Sequence, residues 1–241
     1  RGYVMPGLGT IINTAAIVAG GLLGLLFKNL LTKSMEDTLL KASSVCVLFI
    51  GISGAMSQML KITDGALITS GSMMLIICFV LGGLVGELLN IEGAFERFGA
   101  WLRKKTHNES DSGFPSGFIH ASLTVCIGAM AIVGSIQDGL LGDASLLCAK
   151  AALDAVIILV MTASMGKGCI FSAIPVGILQ GSVTLLARLL QPVFTDAALS
   201  NLSLVGSVLV FCVGLNLVWG KKIRVANLLP SLIVSVVWAF L

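Results

Sequence analysis

The chain has 241 residues, 56% of them hydrophobic and 11% charged, with a formal net charge of +3 and a mean hydropathy of +1.03. A soluble domain carries about a quarter charged residues, so this composition excludes a water-soluble fold, and the small net charge argues against nucleic-acid binding. Gly, Ala, Leu and Val dominate without strand alternation, which predicts an all-α polytopic membrane bundle rather than a barrel.

A spanning helix takes roughly 20 apolar residues, and the chain offers seven or eight such stretches. Met5-Pro6 reads as a native start, which makes residues 1–4 an extraneous leader. The first half, residues 5–105, begins with span 1 near residues 9–27, carrying Asn13, Thr14 and Gly20-Gly21-x-x-Gly24. A loop with Lys28, Lys33 and Lys41 leads to span 2, near 38–59, and a polar turn around Lys61, Thr63 and Asp64. Span 3, near 66–89, contains Gly82-Gly83-x-x-Gly86-Glu87. Ile91, Ala94, Phe95, Phe98 and Leu102 then recur at three- and four-residue steps and end in Arg103-Lys104-Lys105, the pattern of an interfacial amphipathic helix able to read anionic lipid. Residues 106–113 form the polar linker.

The second half, residues 114–241, holds spans 4 to 8. Span 4 lies near 118–136, followed by an external turn over 137–143; span 5 lies near 144–165 and span 6 near 169–190, with Pro175 and Gln180. Span 7, near 202–219, carries Asn216; a basic turn of Lys221, Lys222 and Arg224 precedes a short last span with Asn227 and Pro230, which becomes re-entrant if the count is seven. Loops after spans 1, 3, 5 and 7 hold 11 of the 15 Lys and Arg, which predicts that these loops are cytoplasmic.

Charge inside such a sequence needs a reason. Lys150 and Asp154 stand four residues apart, on one face of span 5, and Asp154 lies roughly 15 Å in from Ala144, near the bilayer midplane. The pair reads either as an ion pair locking span 5 to its neighbours or as a substrate- or ion-binding group. Asp143 is placed to cap span 5. Asp138 reads as a cation-collecting residue at an external mouth or as a solvated turn residue. Asn13, Gln180, Asn216 and Asn227 each fit either an interhelical hydrogen bond or a polar site. Pro175 and Pro230 are expected to break their spans, with Ser172 and Gln180 beside the first break and Asn227 before the second, an arrangement that builds mid-membrane sites. Glu87 reads as a snorkelling or capping residue.

Two echoes suggest internal duplication. Ser44 to Gly51 in span 2 resembles Ser207 to Gly214 in span 7, each followed by a Lys-Ile pair, and spans five apart run in opposite directions, as in an inverted repeat. Val18-x-Gly20-Gly21-Leu22-x-Gly24 resembles Val80-x-Gly82-Gly83-Leu84-x-Gly86; the small-residue stripes fit internal packing or a homodimer interface.

The six Cys occur singly and the two His have no ligand-like spacing, so no metal site, disulfide framework or cofactor is expected. No zincin, nucleophile-elbow or paired-aspartate motif is present, which argues against an enzyme and leaves no catalytic residue to name. The runs GTIIN (Gly9 to Asn13), GGLVGE (Gly82 to Glu87), GAMAIVGSIQDGLLGD (Gly128 to Asp143), AKAALDA (Ala149 to Ala155) and KIRVANLLP (Lys222 to Pro230) resemble the bacterial "domain of unknown function 554" membrane-protein family. The resemblance implies a multi-pass protein of the bacterial inner membrane and transfers no catalytic residues. The expected function is a secondary transporter of a small solute, coupled to a cation or proton, with a passive channel and a non-transporting membrane scaffold as alternatives.

Overall fold

The computed structural model describes residues 6–28, 32–63, 66–107, 113–126, 129–190 and 192–241. Expectations for residues 1–5, for Asp64, for most of the linker and for Gly128 fall outside them. In chain order the helices are α1 (Leu8–Lys28), α2 (Lys33–Met59), α3 (Ser72–Leu89), α4 (Ile91–Lys105), α5 (Phe114–Cys126), α6 (Ala129–Leu141), α7 (Ser145–Met165), α8 (Ala173–Leu185), α9 (Ala187–Leu190), α10 (Asp196–Trp219) and α11 (Pro230–Trp238). Two 3-10 turns, Lys167–Ser172 and Val225–Leu228, precede α8 and α11.

The helical prediction holds, with one local departure. Where the sequence predicts a polar turn after span 2, Leu60–Thr63 (β1) pairs antiparallel with Ala66–Thr69 (β2), matching Lys61 to Ile68 and Ile62 to Leu67. Ile62, Thr63, Ile68 and Thr69 are β-branched, which favours the extended state over a helix end.

The expected count of seven or eight spans is corrected downward. Among the described residues five segments are long and apolar enough to cross a membrane: Leu8–Lys28, Ser72–Leu89, Ser145–Met165, Lys167–Leu185 and Asp196–Trp219. A sixth results if α5 and α6, bent by 62° at their junction, act as one broken span. The shorter apolar segments Ser44–Met59, the C-terminal part of α2, and Val225–Trp238 account for the difference; Val225–Trp238 falls below the roughly 20 residues that a full crossing takes. Leu22, Leu26, Ile76, Leu84 and Leu88 are exposed on these helices, as a lipid-facing surface requires.

The chain forms two compact units, each drawing on both halves of the sequence. Unit 1 comprises Arg1–Ser43, Phe95–Cys126 and Met130–Gln191; unit 2 comprises Ser44–Ala94, Ile127–Ala129 and Pro192–Leu241. In unit 1, α1 runs parallel to α7: Gly9 lies against Leu147, Gly20 against Ala155 and Gly24 against Leu159. A Cβ on Gly20 or Gly24 would collide with the carbonyl oxygen of Ala155 or Leu159, so only glycine permits this approach.

In unit 2, Gly82 and Gly86 of α3 meet Ser231 and Asn227 with the same intimacy. Here too α2 crosses α10 antiparallel, with Gly51 on Phe211, Gly54 on Ser207 and Leu48 on Gly214. The two sequence segments that echo one another therefore pack directly together.

The proline expectation needs refining. α7 ends at Gly166 (φ 93°), the first 3-10 turn follows, and Pro175 sits in the first turn of α8. α10 ends at Gly220 (φ 74°), and after the second 3-10 turn Pro230 begins α11. Neither proline interrupts a helix. Each occupies a first turn, where its missing N–H has no intrahelical bond to lose, and the irregular backbone lies before it.

Candidate functional site

The buried stripe of α7 is Leu147, Lys150, Ala151, Asp154, Ile158, Met161 and Thr162, a helical three-four spacing that turns both charges into unit 1. Lys150 is 7% exposed and Asp154 3%. Lys150 Nζ donates to Asp154 Oδ1 at 2.8 Å and to Oδ2 at 2.6 Å, and Asn13 Nδ2 of α1 donates to Oδ2 at 3.1 Å. Lys150 Nζ also donates to the carbonyl oxygen of Val125 at 2.8 Å. That carbonyl belongs to the last turn of α5, where acceptors are left without an intrahelical partner and the helix dipole is negative. The ammonium thus caps α5 at the point where the α5–α6 span bends.

Asp138 is not a solvated turn residue. It lies within α6, fully buried, and its Oδ2 accepts from the backbone N–H of Gly7 and of Gly9, each at 3.1 Å. The N–H groups of a first helical turn have no intrahelical acceptor, and this carboxylate supplies one across the unit. Its other oxygen, Oδ1, has no hydrogen-bond partner among the described residues. Asp143 stands one residue before Ala144, the cap position of α7, and its Oδ1 accepts from Ser145 N at 2.9 Å; hydrogen bonds from the Ser145 hydroxyl and amide hold its carboxyl below the usual aspartate range.

A cavity of about 500 Å³ opens at the same end of unit 1, lined by Pro6, Gly7, Thr10 and Ile11, by Gly139 of α6, and by residues of α8 and α9 including Gly181 and Thr184. Thr10 and Thr184 are buried, and their hydroxyls have no partner among the described residues. Asn13 stands one turn beyond Thr10, and Gln180 one turn before Thr184. Gln180 is 1% exposed with both amide atoms unpartnered, and Asn13 Oδ1 is likewise free. Ser135 on α6 and Ser172 at the end of the first 3-10 turn are fully buried with unpartnered hydroxyls. Thr10, Ser135 and Thr184 escaped the sequence reading. Their signal is a second polar residue one turn from a polar residue already chosen.

The remaining predicted site residues belong to unit 2 and serve its own loops. Asn216 Oδ1 accepts from Lys222 N and Ile223 N at 3.0 and 2.9 Å, and its Nδ2 donates to Ile223 O at 2.7 Å, fastening the basic turn to α10. Asn227 Nδ2 donates to Glu87 Oε2 at 2.6 Å, and its Oδ1 accepts from Glu92 N at 2.7 Å. Glu87 also binds Arg224. Glu92, which the amphipathic pattern assigns to a polar face, is buried; it accepts from Ala226 N at 2.9 Å and pairs with Lys221 at 3.0 Å. Among the described residues no group of three His, Cys, Asp or Glu is placed to hold a metal ion.

Apolar helices of spanning length around a buried charged pair define a polytopic helical membrane protein. The chain belongs to the family described as Protein of unknown function (DUF554), whose model matches residues 8–240. It is 29% identical to the "Uncharacterized membrane protein YdfK" of Bacillus subtilis (strain 168), over 96% of this chain and 95% of the relative. It is 27% identical to the "Uncharacterized protein YqgA" of Escherichia coli (strain K12), over 95% of this chain and 94% of the relative. No solved structure matches.

Proposed function

We propose that the protein is a secondary transporter of a small solute, coupled to a cation or proton and residing in the bacterial inner membrane, with the segments after α1, α3, α7 and α10 cytoplasmic. The observation that carries this reading is the Lys150–Asp154–Asn13 network at the end of α5, where a charged group caps the broken end of an apolar helix pair. Intramembrane charge beside a helix discontinuity is the usual material of a substrate or ion site in a carrier. A polar sequence along α1 supports it: Thr10 lines the cavity, Asn13 follows one turn deeper, and Asn13 binds Asp154. The matching succession of left-handed glycine, 3-10 turn and proline-led helix in each unit supports an internal repeat.

One observation favours a second reading, a non-transporting scaffold. Both oxygens of Asp154 already have donors, so the network also suits a static staple. Solid-supported-membrane recording on proteoliposomes, with amino acids, mono- and dicarboxylates and sugars presented under sodium or proton gradients, separates the readings. A carrier gives a saturable, gradient-dependent current with at least one class that Asp154→Asn abolishes while the variant keeps its gel-filtration profile. Ohmic current without saturation marks a channel; no current with any class, or a current unchanged in Asp154→Asn, overturns the proposed role.

A further inference from the structure

Asp154 has a cationic partner; among the described residues Asp138 has only the amides of Gly7 and Gly9, both on one oxygen. We propose that Asp138, Thr10 and Thr184 form a binding site for a dehydrated monovalent cation of sodium type, at the inner wall of the unit 1 cavity. The inference deepens the transport reading and rests on it only for the ion's role in coupling.

Charge supplies the first argument. A fully buried carboxylate needs a counter-charge, a proton or a ligand. The N-terminus of α1 offers about half a positive charge, which offsets only about half of the carboxylate, and a proton or one monovalent cation leaves about half a positive charge over. A divalent ion would leave more than one uncompensated positive charge in an apolar surround. The unused Oδ1 is the free ligand position.

The second argument is the character of the unpartnered atoms around it. Thr10 and Thr184 line the cavity with buried, unbonded hydroxyls, and Gly7 and Gly139, the neighbours through which Asp138 meets it, line the same wall. One turn behind them stand Ser135 on α6 and Gln180 on α8, each with an unpartnered oxygen. Gln180 Nε2 is the sole nitrogen in this set. With the Asp138 carboxylate among them, these buried oxygens suit a hard cation, and the same negative charge repels an anion. A backbone carbonyl is at hand as well, since Thr184 O packs on Gly139.

The test is saturable binding of radioactive sodium to the purified full-length protein in detergent, at constant ionic strength with choline chloride as the replacement salt. Asp138→Asn retains an acceptor for Gly7 and Gly9, so it removes the charge and keeps the α1 cap; Thr184→Val removes one hydroxyl with little change in volume. The wild type is expected to bind sodium in a form displaced by excess sodium chloride and untouched by choline. Each variant is expected to bind at least ~10-fold more weakly while unfolding within a few degrees of wild type. Absence of saturable binding, or sodium affinity unchanged in Asp138→Asn, overturns the site. Proton-driven solute current without sodium binding also overturns it and leaves the carrier standing. Sodium binding that depends on Asp138 without any solute current upholds the site and removes the carrier.

Discussion

Replacing Lys150 by Met preserves the four-atom stem and deletes the charge, and the structure sets out what is lost. Asp154, 3% exposed, keeps only the Asn13 amide, and the Val125 carbonyl loses its donor. Removing one partner of a buried ion pair costs about 3–5 kcal/mol, and an orphaned buried carbonyl adds about 1–3 kcal/mol. Asp154→Leu alone strands the ammonium at similar cost. In Lys150→Met/Asp154→Leu no charge is stranded, and only the Asn13 amide and the Val125 carbonyl remain unbonded, for a total of roughly 2–4 kcal/mol. The two single losses together should therefore exceed the double loss by at least ~3 kcal/mol. Reversible unfolding in mixed micelles of rising SDS fraction, followed by far-ultraviolet circular dichroism, measures all three. Additive losses, or a Lys150→Met loss below about 1 kcal/mol, would refute the claim that the two buried charges compensate each other.

Gly20→Val drives a branched side chain into the Ala155 carbonyl and should cost about 1–3 kcal/mol or prevent folding, read as loss of monodisperse protein on gel filtration; Gly86→Val should do the same against Asn227 in unit 2. Gly181→Ala meets nothing within 4 Å, so it should leave stability unchanged or raise it by up to ~1 kcal/mol, seen as an equal or higher melting temperature. Asn227→Leu leaves Glu92 N without its acceptor and should lower stability by about 1–3 kcal/mol in the same SDS titration. Asp143 has its folded-state pKa lowered by Ser145, so the contribution of its bonds to Ser145 is present at neutral pH and lost as pH falls through the depressed value. The Asp143 carboxyl carbon should accordingly titrate below the ordinary aspartate range by nuclear magnetic resonance, and Ser145→Pro should move it back.

The helices were legible because apolar composition and length decide them, and Lys150 with Asp154 was legible because charge in an apolar stretch has few explanations. Their four-residue spacing foretold the pair; nothing in the spacing foretold Val125, since a carbonyl carries no side-chain signature. Asp138 misled for a related reason. Gln137, Gly139 and Gly142 around it spell a turn, yet its burial comes from α1, whose amides lie 129 and more residues away in sequence. Pro175 and Pro230 marked discontinuities correctly but not their side: a proline at the head of a helix and one in its interior look alike until the 3-10 turn before it is seen. Glu92 shows the limit of an amphipathic pattern, because its polar face is covered by the Val225–Leu228 turn of the same unit.

The distribution of satisfied and unsatisfied polar atoms narrows where function can reside. Asn216, Asn227, Glu87 and Glu92 in unit 2 are engaged by backbone amides and by each other, and such bonding defines a loop conformation rather than waiting for a ligand. Of the buried polar atoms without partners among the described residues, Ser231 Oγ alone lies in unit 2; Thr10, Asn13, Ser122, Ser135, Asp138, Thr162, Ser172, Gln180 and Thr184 all lie in unit 1. Each orphan costs stability on the order of 1–3 kcal/mol. A fold has no structural reason to gather that cost in one region, and α1, α6 and α8 gather it next to a cavity. Asp138 belongs to that set by its free oxygen, and Asp154, fully bonded, touches it through Asn13 alone. The polar interior of unit 1 is therefore the part of the molecule whose bonding a bound solute or ion would complete, and Asp138 is the carboxylate within it with one oxygen unbonded among the described residues.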